Sequence, residues 1–140
     1  VITIPIGILW FFIILKWDVY SDHKKWMRKE PVNHSKDAII RVLLLLPCYG
    51  LLLYPKLVDR YNVWHILIQC FIVAMLIASV WWELFDGWYN IKRGYKWRFS
   101  GTKDADDAKS DKILYLFSET ERALLKFTLI ACFLILYLIT

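Results

Sequence analysis

Read as apolar and polar positions, the chain falls into four apolar runs, separated by two long polar segments and one short turn. The third run, Val63 to Trp82, carries no formal charge and, at about 20 residues, is long enough to cross a bilayer. It passes without a break into WWELFDGWYN, where Glu83, Asp86 and Asn90 follow one another at helical spacing. At 100° per residue, His65, Gln69, Ser79, Glu83, Asp86 and Asn90 fall within an arc of roughly 100°. The predicted helix is therefore apolar around most of its circumference and polar along one seam. Polar groups are costly in lipid, so the seam should face other helices or water.

The remaining runs predict three more spans. Val1 to Leu15 is short, at roughly 23 Å, but Lys16 can lengthen it by snorkelling. A polar helix follows, WDVYSDHKKWMRKE, which Pro31 ends; it either lies along the membrane surface or extends the first helix into solvent. Ala38 to Tyr54 is the second run, with Ser35 as N-cap and Asp37 in the first turn. Pro47 and Gly50 are expected to kink it. The tight turn YPKLVDRYN then makes helices two and three an antiparallel hairpin. Ala123 to Thr140 is the fourth run. It is preceded by SETE, a capping box at Ser118 to Glu121, and Lys126 near its start is expected to snorkel. The fold class is thus all-α, a single bundle of four transmembrane helices at about residues 1–16, 38–54, 63–85 and 123–140, with one long cytoplasmic loop.

Composition agrees with this reading. The 140 residues are 59% hydrophobic, and the eight Trp, eight Tyr and eight Phe gather near the ends of the apolar runs, as interfacial aromatics do. The net charge of +5 raises nucleic acid as a partner, but nearly all the 18 Lys and Arg lie in the two long polar segments and their flanks. That is a positive-inside asymmetry, and no nucleic-acid partner is expected. It places residues 17–37 and 91–121 in the cytoplasm and both termini outside it, as in a bacterial inner membrane. No basic region precedes the first run and no small-residue cleavage site follows it, so it does not read as a standard signal peptide. Cys48, Cys70 and Cys132 lie in separate apolar runs without a pairing motif and read as buried apolar residues.

Candidate chemistry gathers at the cytoplasmic end. If the hairpin turns near Val58, residues of helices two and three whose numbers sum to about 117 share a depth. His34 is then level with Glu83, and Asp37 and Arg41 lie within a turn of Ser79 and Glu83. The expected cluster is His34, Asp37, Arg41, Glu83, Asp86 and Asn90. Two roles are open to it. As a lock, Arg41 is neutralised by Glu83 or Asp86 in a structural ion pair. As a site, His34, Asp37, Glu83, Asp86 and Asn90 are the catalytic candidates, and Glu83, Asp86 and His34 are a weak metal candidate, since carboxylates at i and i+3 can share a cation. No cofactor is identified. His23 lies on a different helix from the rest.

KRGYKWRF interleaves basic and aromatic residues. Lys92, Arg93, Lys96, Trp97 and Arg98 are expected to bind anionic lipid headgroups. TKDADDAKSD lacks calcium-loop spacing and reads as a solvated loop. Glu83, Asp86-Gly87, Gly101, Asp107 and Asp111 partly match the acidic motif of the CDP-alcohol phosphatidyltransferases. However, the first acid is Glu, no Ala-Arg pair follows Gly87, and the last spacing is too long. His65 and Gln69, one turn apart near the far end of helix three, are expected to make interhelical hydrogen bonds.

Asn33-His34 with Arg41, then LFDGWYNIKRG, Trp97 and Gly101-Thr102, resemble a group of small uncharacterised multi-pass membrane proteins of bacteriophages and Bacteroidetes-type bacteria. The resemblance covers about residues 33–111 and implies no activity, substrate or cofactor. It implies that His34, Arg41, Asp86, Asn90 and Arg93 act as one unit. Two function classes follow. One is a non-enzymatic membrane protein that packs with copies of itself or with a membrane-protein partner among membrane lipids. The alternative is a membrane-embedded enzyme or ion-binding protein that acts on a lipid headgroup through the cytoplasmic His, Asp and Glu cluster.

Overall fold

The computed structural model describes residues 2–30, 34–58, 62–97 and 116–140, the side chains of His34 and Ser35 excepted. The described residues form four helices: α1 Thr3–Met27, α2 His34–Leu57, α3 Val63–Lys92 and α4 Glu119–Ile139. All four are long and apolar enough to cross a membrane. Each overruns its apolar run in the sequence, α4 by starting at Glu119. α1 carries its polar extension to Met27 as one continuous helix, α2 begins at His34, and α3 continues through WWELFDGWYN to Lys92.

The ends have local causes. Asn62 caps α3 by accepting from the Trp64 N–H at 2.9 Å. Ser118 and Glu121 form the expected capping box at the start of α4. α3 closes with paired bonds from the Gly94 N–H to the Ile91 carbonyl and from the Tyr95 N–H to the Asn90 carbonyl. Gly94 sits at φ +80°, the left-handed conformation this closure needs. α1 ends the same way, with Glu30 N–H on Lys25 and Lys29 N–H on Trp26, but here Lys29 takes the left-handed position at φ 54°.

α3 is the central element and packs against each of the other three. Short connections make α1, α2 and α3 run up and down in turn. Contacts between Phe71 and Phe133 and between Asp86 and Lys126 set α4 antiparallel to α3. The buried core runs along α1 and α3 through Phe11, Leu15, Val19, Ile72, Val73 and Ile77, joined by Cys48 and Leu53 of α2 and Tyr137 of α4.

α2 runs through both Pro47 and Pro55 as a single helix. A proline frees carbonyls in the turn before it, and the neighbours take them up. Trp10 donates to the Leu44 carbonyl at 2.9 Å, and Tyr137 donates to the Leu52 carbonyl at 3.0 Å. Each acceptor lies three residues before a proline, so the two prolines pin α2 to α1 and to α4. Tyr49 completes the attachment by donating to the Cys70 carbonyl of α3 at 3.1 Å.

Candidate functional site

The polar residues at the charged end of the bundle form two nests rather than one cluster. The first lies between α1 and α2. Asp18, Asp22 and Lys25 recur at i, i+4 and i+7, so one stripe of α1 presents two carboxylates and an ammonium to α2. Asp37 and Arg41, also one turn apart, answer from α2. Arg41 Nε lies 2.6 Å from Asp18 Oδ2, as an ion-pair contact, and Arg41 Nη2 donates to Asp22 Oδ2 at 2.5 Å. Lys25 Nζ donates to Asp37 at 2.9 Å and reaches Asp22 at 3.5 Å.

This corrects the expected pairing of Arg41 with Glu83 or Asp86. The guanidinium does reach α3 beside those acids, 4.6 Å from the ring centre of Phe85. At that level, however, α3 presents an aromatic ladder to α1 and α2. Trp81, Phe85 and Tyr89 stack at i, i+4 and i+8, with Phe11 edge-on against Trp81. Asp86 is one residue on, 100° further round the helix. Arg41 therefore meets a ring on α3 and finds its carboxylates on α1.

The second nest joins α3 to α4 and to the chain just beyond α3. Lys126 is buried rather than snorkelling. Its Nζ lies 2.6 Å from Asp86 Oδ2, 3.8 Å from Glu83 Oε2 and 4.7 Å from the ring centre of Trp82. The turn at Gly94 swings the chain back onto α3, where Trp97 donates from Nε1 to Glu83 at 3.0 Å and accepts at its carbonyl from Asn90 at 3.0 Å. The ring fills a notch at Gly87, where a Cβ would overlap the indole. Trp97 is thus part of the bundle, which differs from the headgroup anchor expected of it.

Of the other basic residues assigned to headgroups, Lys92 and Lys96 are exposed, and Arg98 lies outside the described residues. Arg93 is held among the rings of Trp26, Tyr89 and Tyr95, each 5.1 to 5.2 Å away, and so ties the end of α1 to the end of α3. The His34 side chain also lies outside the described residues, as do Gly101, Asp107 and Asp111. Among the described residues no three His, Cys, Asp or Glu side chains converge as a metal site. Glu83 and Asp86 face an ammonium and an indole N–H.

At the far end of α3, Gln69 is fully buried and its amide has no hydrogen-bond partner among the described residues; the same is true of His65 Nε2. The expected interhelical bonds from these two side chains are therefore not made among the described residues; the bond across to α2 at this depth is the one from Tyr49 to the Cys70 carbonyl. Residues that the sequence reading passed over are Asp18, Asp22 and Lys25, which a helical count along α1 would have shown as a stripe. Trp97 as a partner of Glu83 had no such periodic signal.

Four apolar helices with their charges paired between helices define an integral, multi-pass membrane protein of the helical-bundle class. Comparison with protein-family models, with curated proteins and with solved structures finds no match for this chain.

Proposed function

We propose that this chain is a non-enzymatic membrane protein that acts by packing laterally with copies of itself or with another membrane protein. The observation that carries this reading is how the polar residues are used. Asp18, Asp22 and Asp37 are paired with Arg41 and Lys25, and Glu83 and Asp86 with Lys126 and Trp97. Charges matched in this way hold helices in register, where a catalytic array would hold a base or nucleophile ready for substrate. Meanwhile Ile39, Val42, Leu43 and Leu46 form an exposed apolar ridge on α2, at the i, i+3, i+4 and i+7 spacing of a helix-packing surface.

In this reading the protein sits in a bacterial inner membrane, with the basic polar end in the cytoplasm and the outer ends of α1 and α4 on the other side. The excess of Lys and Arg at one end supports that orientation, and the resemblance to phage and Bacteroidetes-type proteins supports the setting. Fluorescence energy transfer between separately labelled copies in liposomes tests the association. Transfer should persist as lipid is added and fall when Leu43 and Leu46 are both changed to Ala. Transfer that tracks random collisions at every dilution would refute it. For orientation, Lys92→Cys in cells should resist an impermeant thiol reagent added from outside.

A further inference from the structure

One groove at the charged end belongs to neither lateral packing nor the α3–α4 nest. It lies between α1 and α2, has a volume of about 360 Å³, and is lined by Trp17, Asp18, Ser21, Lys25, Lys36, Asp37 and Ile40. At about 30 Å³ per water, that is room for roughly a dozen waters, the scale of a small polar headgroup and not of a whole lipid. Its lining runs from an apolar wall, Ile40 and the half-exposed indole of Trp17, to a charged floor. It lies where the helices pass from apolar to charged sequence, which is headgroup depth in a bilayer.

From this groove we infer a binding site for the headgroup of a zwitterionic, primary-amine phospholipid, that is, a phosphoethanolamine group. The argument is charge balance. Two lysines and two aspartates line the groove, and Asp18 is already engaged by Arg41. The nest around it is neutral too, with Asp18, Asp22 and Asp37 against Lys25, Lys36 and Arg41. A purely anionic headgroup would add net negative charge to this neutral nest, and on Lys25 it would leave Asp37, whose side chain is only 13% exposed, without that cation. A zwitterion avoids this. Its phosphate takes Lys25, its ammonium takes the released Asp37, and one ion pair becomes two with no net charge added. Ser21 supplies a hydroxyl at the same wall, and Trp17 covers the glycerol side. A choline headgroup carries the same charge but has no N–H to donate to Asp37, so a primary amine is selected over it.

The test uses the intact protein in detergent, with lipid retention read by native mass spectrometry after addition of phosphatidylethanolamine, phosphatidylcholine and phosphatidylglycerol of matched chains. Phosphatidylethanolamine should be retained about ten-fold over phosphatidylcholine, the ratio set by one charge-assisted hydrogen bond, and should also exceed phosphatidylglycerol. Equal or stronger retention of either competitor overturns the proposal, and this arm needs no variant. Asp37→Asn and Lys25→Gln should each remove the preference in protein that still unfolds cooperatively. A preference that survives both changes overturns the groove as its seat.

Discussion

Arg41 offers the sharpest test of the structure. Its side chain is 23% exposed, and its two partners, Asp18 and Asp22, are 7% and 9% exposed. With charge centres about 4 Å apart and an effective dielectric of about 20, each pairing is worth about 4 kcal/mol of Coulomb attraction. Desolvation of three charges offsets much of that, so the intact nest contributes little net stability. Removing only the cation is another matter. Arg41→Met would leave the nearly buried Asp18 without its cation beside an Asp22 that keeps only Lys25 at 3.5 Å, and should destabilise the bundle by about 3–5 kcal/mol. Adding Asp18→Asn and Asp22→Asn should return most of that loss, because the stranded charges are then gone. Unfolding in mixed micelles with rising SDS, followed by circular dichroism at neutral pH, measures each variant. Two results would refute the reasoning. One is a cost below about 1 kcal/mol for Arg41→Met. The other is rescue by Glu83→Gln or Asp86→Asn in place of Asp18→Asn and Asp22→Asn, which would return Arg41 to α3.

Three further outcomes follow from single contacts. Gly87→Ala should cost about 2–4 kcal/mol, by displacing the Trp97 ring and losing its bond to Glu83; in a Trp97→Ala background the same change should be close to neutral, and an equal cost there would disprove the notch. Gln69→Leu should stabilise by about 1–3 kcal/mol, since it removes a fully buried amide with no partner among the described residues; a loss of stability in the same unfolding assay would mean that the amide is satisfied by something beyond them. Lys29→Gly should stabilise the end of α1 by about 1 kcal/mol by relieving the left-handed backbone at φ 54°, and slower amide exchange at Lys29 and Glu30 would report it.

Much of the candidate site was legible along the chain, and the errors share one physical origin. Depth along a helix follows from 1.5 Å per residue, which is why the match of helix two to helix three placed Arg41 in the half of the bundle where its long side chain meets Phe85. Facing depends on rotation about the helix axis, where one residue is 100°. That small step separates Phe85 from Asp86 and sends Arg41 to α1 instead. Lys126 failed differently. A lysine one turn inside an apolar run can reach water by snorkelling, and only the neighbouring carboxylates of α3 make the buried position the better one. Trp97 failed because its contact depends on a chain reversal at Gly94, and nothing periodic announces what a reversed segment will touch.

By itself, then, the sequence determined what is local or axial: four spans long enough for a bilayer, the capping box at Ser118 and Glu121, a polar seam on α3, and charge gathered at one end. These follow from hydrophobic transfer and helix periodicity, which need no knowledge of neighbours. The tertiary structure alone decided which helices meet and by which faces. It divided one expected cluster into two nests and gave Arg41 to Asp18 and Asp22. It buried Lys126 against Asp86, set Trp97 into the notch at Gly87, and opened the groove between α1 and α2. The reason is that a charged side chain in a bundle takes whichever opposite charge its helix's rotation and neighbours present. Those are properties of the packed assembly of helices and of no single helix within it.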